Sequence, residues 1–239
     1  MGNNSVVDSP APVQVKGPGG NGVLIDILAI AAGGQNSLAL RADGTVWSWG
    51  ANHKGQLDNN AAIKNSATPV QVKAKVGDLP GMKAIAAGSA HCLALKADGT
   101  VWAWGWNNNG QLGDGSTSDR STAAAVKGGK KLGSLIKNVK AIAAGRTGTI
   151  LQPSGGHSLA LVAQGEVFGW GWNVKGQLGL DNQFADQLVP DSAVQTLTEP
   201  DPNLGDQQTY VPLARVAAIA AGGLHSLAIG PHSPPKPVK

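Results

Sequence analysis

The sequence predicts an all-β fold, a β-propeller of four-stranded antiparallel blades with about three complete blades and a partial fourth. Three observations carry this. The pentapeptide Ala-Ile-Ala-Ala-Gly starts at residues 29, 84, 141 and 218, giving intervals of 55, 57 and 77 residues. Such intervals are too long for one hairpin and suit one four-stranded sheet with its loops. Short apolar runs follow each start in a fixed order, and 34 glycines in 239 residues favour tight turns over long helices.

The expected elements of a unit follow in order. A proline-led extended piece comes first: Pro12 to Val15, Pro69 to Val72, a degenerate Ala123 to Val126, and Pro212 with Leu213. The Ala-Ile-Ala-Ala-Gly strand is next, then Ser-Leu-Ala-Leu or a variant, then a tryptophan strand. Asp43-Gly44 and Asp98-Gly99 join the last two, and Asp-Gly between apolar runs is a strong hairpin signal. Gln164-Gly165 keeps the glycine in the third unit. Alternation puts Trp47 with Trp49, Trp102 with Trp104, and Phe168 with Trp170 on shared faces, ready to pack on a neighbouring sheet. Small Ala-Ala-Gly segments suit strands that converge on an axis, which favours a radial array over a linear solenoid.

On this reading the units span about 10–57, 68–113, 122–179 and, in part, 210–230. Residues 1–9 are expected to be a disordered N-terminus, 180–208 an acidic, proline-containing insertion, and 231–239 a proline-rich tail.

Composition narrows the function. A charged fraction of 14% and a net charge of +4 are too mild to indicate a specific nucleic-acid partner. Cys92 is the single cysteine, so packing rather than an internal disulfide must hold the chain together, as in a reducing compartment; it reads as a small buried strand residue. The start MGNNSVVDSP lacks a signal-peptide pattern, and the longest apolar run, Val23 to Ala32, is too short for a membrane span. A cytoplasmic protein without a membrane partner is expected.

In the second unit Gly88-Ser89-Ala90-His91 is followed by Asp98-Gly99-Thr100-Val101 through Trp104-Gly105, then by Asn107 with Gly110-Gln111-Leu112-Gly113. These linked motifs resemble the regulator of chromosome condensation repeat, over roughly residues 10–230. The resemblance implies a β-propeller, usually seven-bladed, that works as a protein-binding platform; the units here make about half of such a ring. The chain departs from the pattern at Asn36, in place of the first histidine, at Asp58, in place of a glycine, and after Gly145, where about nine residues are inserted. Such an array is part of a longer protein, closes with a second copy as a homodimer, or forms a small ring.

The expected function is a noncatalytic scaffold for a protein partner of unknown identity. The resemblance implies two alternatives: guanine-nucleotide exchange on a small GTPase, and inhibition of an enzyme of the β-lactamase type. No phosphate loop, nucleophile elbow or Cys-x-x-Cys is present, so no catalytic residue and no cofactor is expected.

Individual residues divide into frame and contact. Trp49, Trp104 and Trp170 repeat in every complete unit, and His91, His157 and His225 occupy equivalent places; both sets read as requirements of the fold. The histidines lack a metal-ligand spacing such as His-x-x-x-His, and the Asp114 to Asp119 segment lacks a full calcium-loop pattern, so no metal is expected. Trp106 and Trp172 follow the tryptophan strands where the first unit manages with Ala51, and a residue the frame can spare is free to bind. With Asn108 they are the expected protein contacts. A basic run from Arg120 to Arg146 adds Lys130 and Lys131, and an acidic run from Gly176 to Ala214 adds Asp181 and Asp186, opposite charges suited to orienting a partner.

Overall fold

The computed structural model describes residues 1–57, 65–74, 79–129, 134–146, 155–180, 185–192, 195–197, 210–212 and 215–230. Three four-stranded antiparallel sheets carry the described chain. The first holds β1 (Ile27–Ala32), β2 (Asn36–Arg41), β3 (Val46–Ala51) and β4 (Asn65–Gln71) in sequential order. The second repeats this with β5 (Met82–Ala87), β6 (His91–Lys96), β7 (Val101–Gly105) and β8 (Arg120–Ala125), the third with β9 (Val139–Ala144), β10 (His157–Val162), β11 (Val167–Gly171) and β12 (Gln187–Ser192). A short hairpin pairs β13 (Gln195–Leu197) with β14 (Tyr210–Pro212), and β15 (Ala218–Ala221) pairs with β16 (Ser226–Ile229) as the first two strands of a fourth sheet. Blades of this kind, with a partial fourth, are what the repeats predict.

The register shows why the units recur. Leu38, Leu93 and Leu159 stand opposite Ser48, Ala103 and Gly169 on the neighbouring tryptophan strand, so each Ser/Cys-Leu-Ala-Leu strand pairs in the same phase. The expected order of strands within a unit is corrected at one point. The proline-led piece does not open a sheet; it closes the preceding one, as β4, β8 and β12. Proline has no N–H to give to a second neighbour, which confines it to outer strands and bulges. Pro69 and Pro190 lie at the register shifts where β4 leaves β3 and β12 leaves β11.

This reassigns two further stretches. Gln187–Ser192, expected inside the acidic insertion, is the outer strand of the third sheet. The N-terminal Pro12 to Val15 forms no strand, and residues 1–9 do not hang free. Asn4 N–H donates to the Ala67 carbonyl at 3.0 Å, and Lys16 N–H to the Gly2 carbonyl at 2.8 Å. Gly2, at φ +78°, sits beneath Trp49 as Gly113, at φ +66°, sits beneath Trp170: an added Cβ would lie 2.9 Å and 2.8 Å from the respective indole nitrogens. The first residues thus take the place of the loop that follows a Gly-Gln-Leu-Gly turn. Pro212 pairs within the β13–β14 hairpin; Leu213 and the 231–239 tail lie outside the described residues.

The core is divided among the seams between consecutive sheets. Leu38, Leu40 and Val46 of the first sheet meet Cys92, Ala94 and Trp104 of the second. Leu93, Leu95 and Val101 meet Ala160, Phe168 and Trp170 of the third. Leu159, Leu161 and Val167 meet Ile219 and Ala221 of the fourth. Trp104 and Trp170 are fully buried, and removing a large apolar side chain from water contributes about 1.5–3 kcal/mol. No sheet buries its own apolar face, so each copy of the repeat needs the next. No helix among the described residues is long and apolar enough to cross a membrane.

Candidate functional site

The rim at the β3–β4 end of each sheet is built by the Asn-x-x-Gly-Gln-Leu turns. Asn52, Asn107 and Asn173 each accept, at the side-chain oxygen, the N–H of Leu57, Leu112 and Leu178 at 2.9 Å. The Gln56, Gln111 and Gln177 amide oxygens accept the N–H of Lys54, Asn109 and Lys175 at 2.8, 2.9 and 3.0 Å. Gly110, at φ +79°, makes the bend that a side chain would strain. Side chains thereby satisfy backbone groups that no ladder reaches.

The same turns hold the next sheet. The Gln111 backbone carbonyl accepts the Trp170 indole N–H at 2.9 Å and the Ser158 hydroxyl at 2.8 Å. The Gln56 carbonyl accepts from Trp104 at 3.0 Å and from the Cys92 thiol at 3.7 Å, and the Gln177 carbonyl from Ser226 at 2.7 Å. One residue further round, His91 Nε2 lies 3.1 Å from Ser158 Oγ and His157 Nε2 lies 3.0 Å from Ser226 Oγ. In the first seam the Asn36 amide donates to Cys92 Sγ at 3.3 Å.

Because each serine hydroxyl gives its proton to a carbonyl, its oxygen receives the hydrogen of a neutral Nε2–H imidazole. Burial pushes His91 down to about 3, assisted by the charge of His157, and burial pushes His157 down to about 4. The Nδ1 atoms of both rings find no hydrogen-bond partner. Among the described residues no three His, Cys, Asp or Glu side chains gather to hold a metal ion. In the second seam His91, Ser158, Gln111 and Trp170 form one clamp; the first seam has Asn36 and Cys92 in place of histidine and serine, and the third, between His157, Gln177 and Ser226, has no tryptophan among the described residues. His91, His157, Trp104 and Trp170 are buried in these seams. Trp49 lies over Gly2, and His225, at the exposed edge of the fourth sheet, leans on Gly222.

The expected contact residues separate. Trp106 is 4% exposed, so its ring is not offered to a partner; Lys54 Nζ stands 5.7 Å over it while pairing with Asp119 at 3.3 Å. A long cationic side chain covers an aromatic face well, which explains this burial. Asp186 is engaged too: one oxygen accepts the Asn173 N–H at 3.0 Å and the other the Asn109 amide at 2.6 Å, tying the second turn to the third sheet. Trp172 remains half-buried with Gly155 against its ring, and Asn108 is exposed. Lys130, Lys131 and Asp181 lie outside the described residues. The clamp itself was not expected from the sequence, although the polar residue after each histidine, in His91-Cys92, His157-Ser158 and His225-Ser226, was its signal.

Comparison with known proteins agrees with this architecture. Profiles described as "Regulator of chromosome condensation (RCC1) repeat" match residues 27–56 and 82–111, and residues 43–95, 98–152 and 164–229. The chain is 30% identical to the ultraviolet-B receptor UVR8 of Arabidopsis thaliana, over 79% of this chain and 49% of the receptor. It is 31% identical to the probable E3 ubiquitin-protein ligase HERC3 of Homo sapiens, over 87% of this chain and 17% of the ligase. It therefore spans about half of the first relative and a small part of the second. Among solved structures, human WBSCR16 superposes with a TM-score of 0.61 at 24% identity, covering 86% of this chain and 45% of that one. Prp20p of Saccharomyces cerevisiae gives 0.60 at 21% identity, covering 86% and 44%. These last two show the fold alone. On its repeats, its blades and these matches, the chain belongs to the regulator of chromosome condensation (RCC1) repeat family.

Proposed function

We propose that the chain is a noncatalytic scaffold, acting in the cytoplasm, that binds another protein through the rim of Asn-x-x-Gly-Gln-Leu turns. The observation that carries this is the contrast on that rim. The turns are fixed by side-chain to backbone hydrogen bonds, yet Trp172 and Asn108 keep exposed surface, as does Val174, which is 46% exposed. A rigid turn presenting an aromatic side chain with a polar surround has the makeup of an interface anchor. Lys130, Lys131 and Asp181 complete the reading as charges that orient the partner, so added salt should slow association.

Placing a photo-crosslinking amino acid at 172, at 108 or, as a control at the other strand end, at Asp43 tests the reading. Adducts from 172 and 108 but not from 43 are expected; adducts from 43 alone would contradict it.

A small GTPase is the second partner class, since yeast Prp20p, which shares the fold, has binding properties toward Gsp1p and histones. Faster nucleotide release from a GTPase in the presence of the chain would favour that reading. A second copy of the chain is a third partner, using the open sheet faces rather than the rim.

A further inference from the structure

The two ends of the array carry the two unmatched halves of one seam. On the first sheet, an apolar groove of about 640 Å³ is lined by Val15, Leu24, Ile30, Ser37, Ala39 and Trp49, among others. The internal seams show what such a groove receives. In the first seam, Ile85, Cys92, Ala94 and Trp104 stand where Ile30, Ser37, Ala39 and Trp49 stand, and Leu38 and Leu40 of the preceding sheet fill the space. Val72 and Leu79 flank that space as Val15 and Leu24 flank the groove. Leu24 N–H donates to the Val15 carbonyl at 3.1 Å, as Ile136 N–H does to Val126 at 3.2 Å, so the flank is already formed.

The matching half is on the fourth sheet. Leu227 and Ile229 occupy on β16 the positions of Leu38 and Leu40 on β2, and they are 59% and 67% exposed where their counterparts are buried. His225 occupies the position of Asn36, His91 and His157, each of which bonds the Ser or Cys of the following sheet. The residue at that place on the open first sheet is Ser37.

We infer that two copies of this chain bind head to tail, with Leu227 and Ile229 of one in the groove beside Ile30, Ala39 and Trp49 of the other, and His225 bonded to Ser37. This deepens the reading that a second copy is a partner and rests on it. The contact chemistry is that of three seams already present within one chain. The chain also covers 45% and 44% of the two superposed structures, so two copies supply about the number of sheets one of those chains holds. Ile30 and Val23, which line the groove, are 79% and 39% exposed, so its apolar face is open in one chain.

Light scattering on the full chain across a concentration series tests the association, and cysteine pairing tests the faces. A dimer is expected, insensitive to salt because the contact is apolar. Leu227→Asp and Ile30→Asp, at opposite ends and the latter at a groove residue 79% exposed in one chain, should each weaken it by about tenfold or more. Leu227 is exposed in one chain, so that variant keeps its fold, checked by circular dichroism.

In a Cys92→Ser background, Ser37→Cys mixed with His225→Cys should form a disulfide dimer that neither forms alone. A monomer at every concentration overturns both self-association and the inference. A dimer that survives Leu227→Asp, or a disulfide from Ser37→Cys alone, keeps self-association but overturns the head-to-tail contact. A Leu227→Asp chain that stays dimeric only when salt is low would likewise assign the dimer to the charged rim.

Discussion

The carbonyl of Gln111 and the indole N–H of Trp170 meet at 2.9 Å across the seam between the second and third sheets. One carbonyl in a rim turn thereby fixes the position of the next sheet, and the hydroxyl of Ser158 shares it. Rim and core are coupled through a single peptide unit, which makes the clamp measurable.

Trp170→Phe should keep most of the apolar burial and lose the indole donor. The expected cost is about 1–2 kcal/mol in urea unfolding, the scale of one buried hydrogen bond. Trp170→Ala should cost about 3–5 kcal/mol, because the cavity adds to the lost burial.

The two spare tryptophans should behave differently. Trp106→Ala removes a buried ring from beneath Lys54 and should destabilise the chain by about 3 kcal/mol. Trp172→Ala, at a half-buried position, should cost about 1 kcal/mol or less and act on partner binding instead. Equal losses in urea unfolding would remove the distinction between frame and contact.

Acid should loosen the seams. His91 and His157 are held neutral in the folded chain, at about 3 and about 4, while the unfolded chain takes up these protons near the ordinary value of 6.5. Depressed histidine values stabilise the fold above about pH 6.5, and that contribution is lost as pH falls toward 4. Urea midpoints at pH 7, 5.5 and 4.5 should fall in that order. His91→Asn, which places in the second unit the residue the first unit uses at Asn36, should flatten the fall.

Cys92 should be chemically silent. Its thiol is fully buried between Asn36 and the Gln56 carbonyl. Reaction with a thiol reagent should therefore follow the rate of unfolding, and a rapid reaction of the native chain would contradict this placement.

Much of the fold was legible because the repeat writes it three times. Asp-Gly turns, alternating tryptophans and the Ser/Cys-Leu-Ala-Leu strands each specify a local geometry, and the sheets follow from them. Strand order within a unit was less legible: Pro69 reads equally well as a first or a last strand until the register with β3 shows it at the outer edge. Residues 1–9 gave no pattern of their own, since Gly2 copies Gly113 through its backbone angle and its place beneath a tryptophan rather than through a shared motif. The contact residues were least legible. Trp106 and Trp172 are the same residue type at equivalent places in the repeat, and what separates them is the neighbour each turn supplies: Lys54 over one ring, Gly155 against the other.

The claim that one repeated polar clamp joins consecutive sheets is tested most directly by a double-mutant cycle between His91 and Ser158 in urea unfolding at pH 7. With His91→Ala, Ser158→Ala and the double variant, a coupling of about 1 kcal/mol or more is predicted, since the two groups bond each other across the seam. Effects that add to within about 0.3 kcal/mol would show that His91 and Ser158 do not hold each other across the seam, and would contradict the clamp.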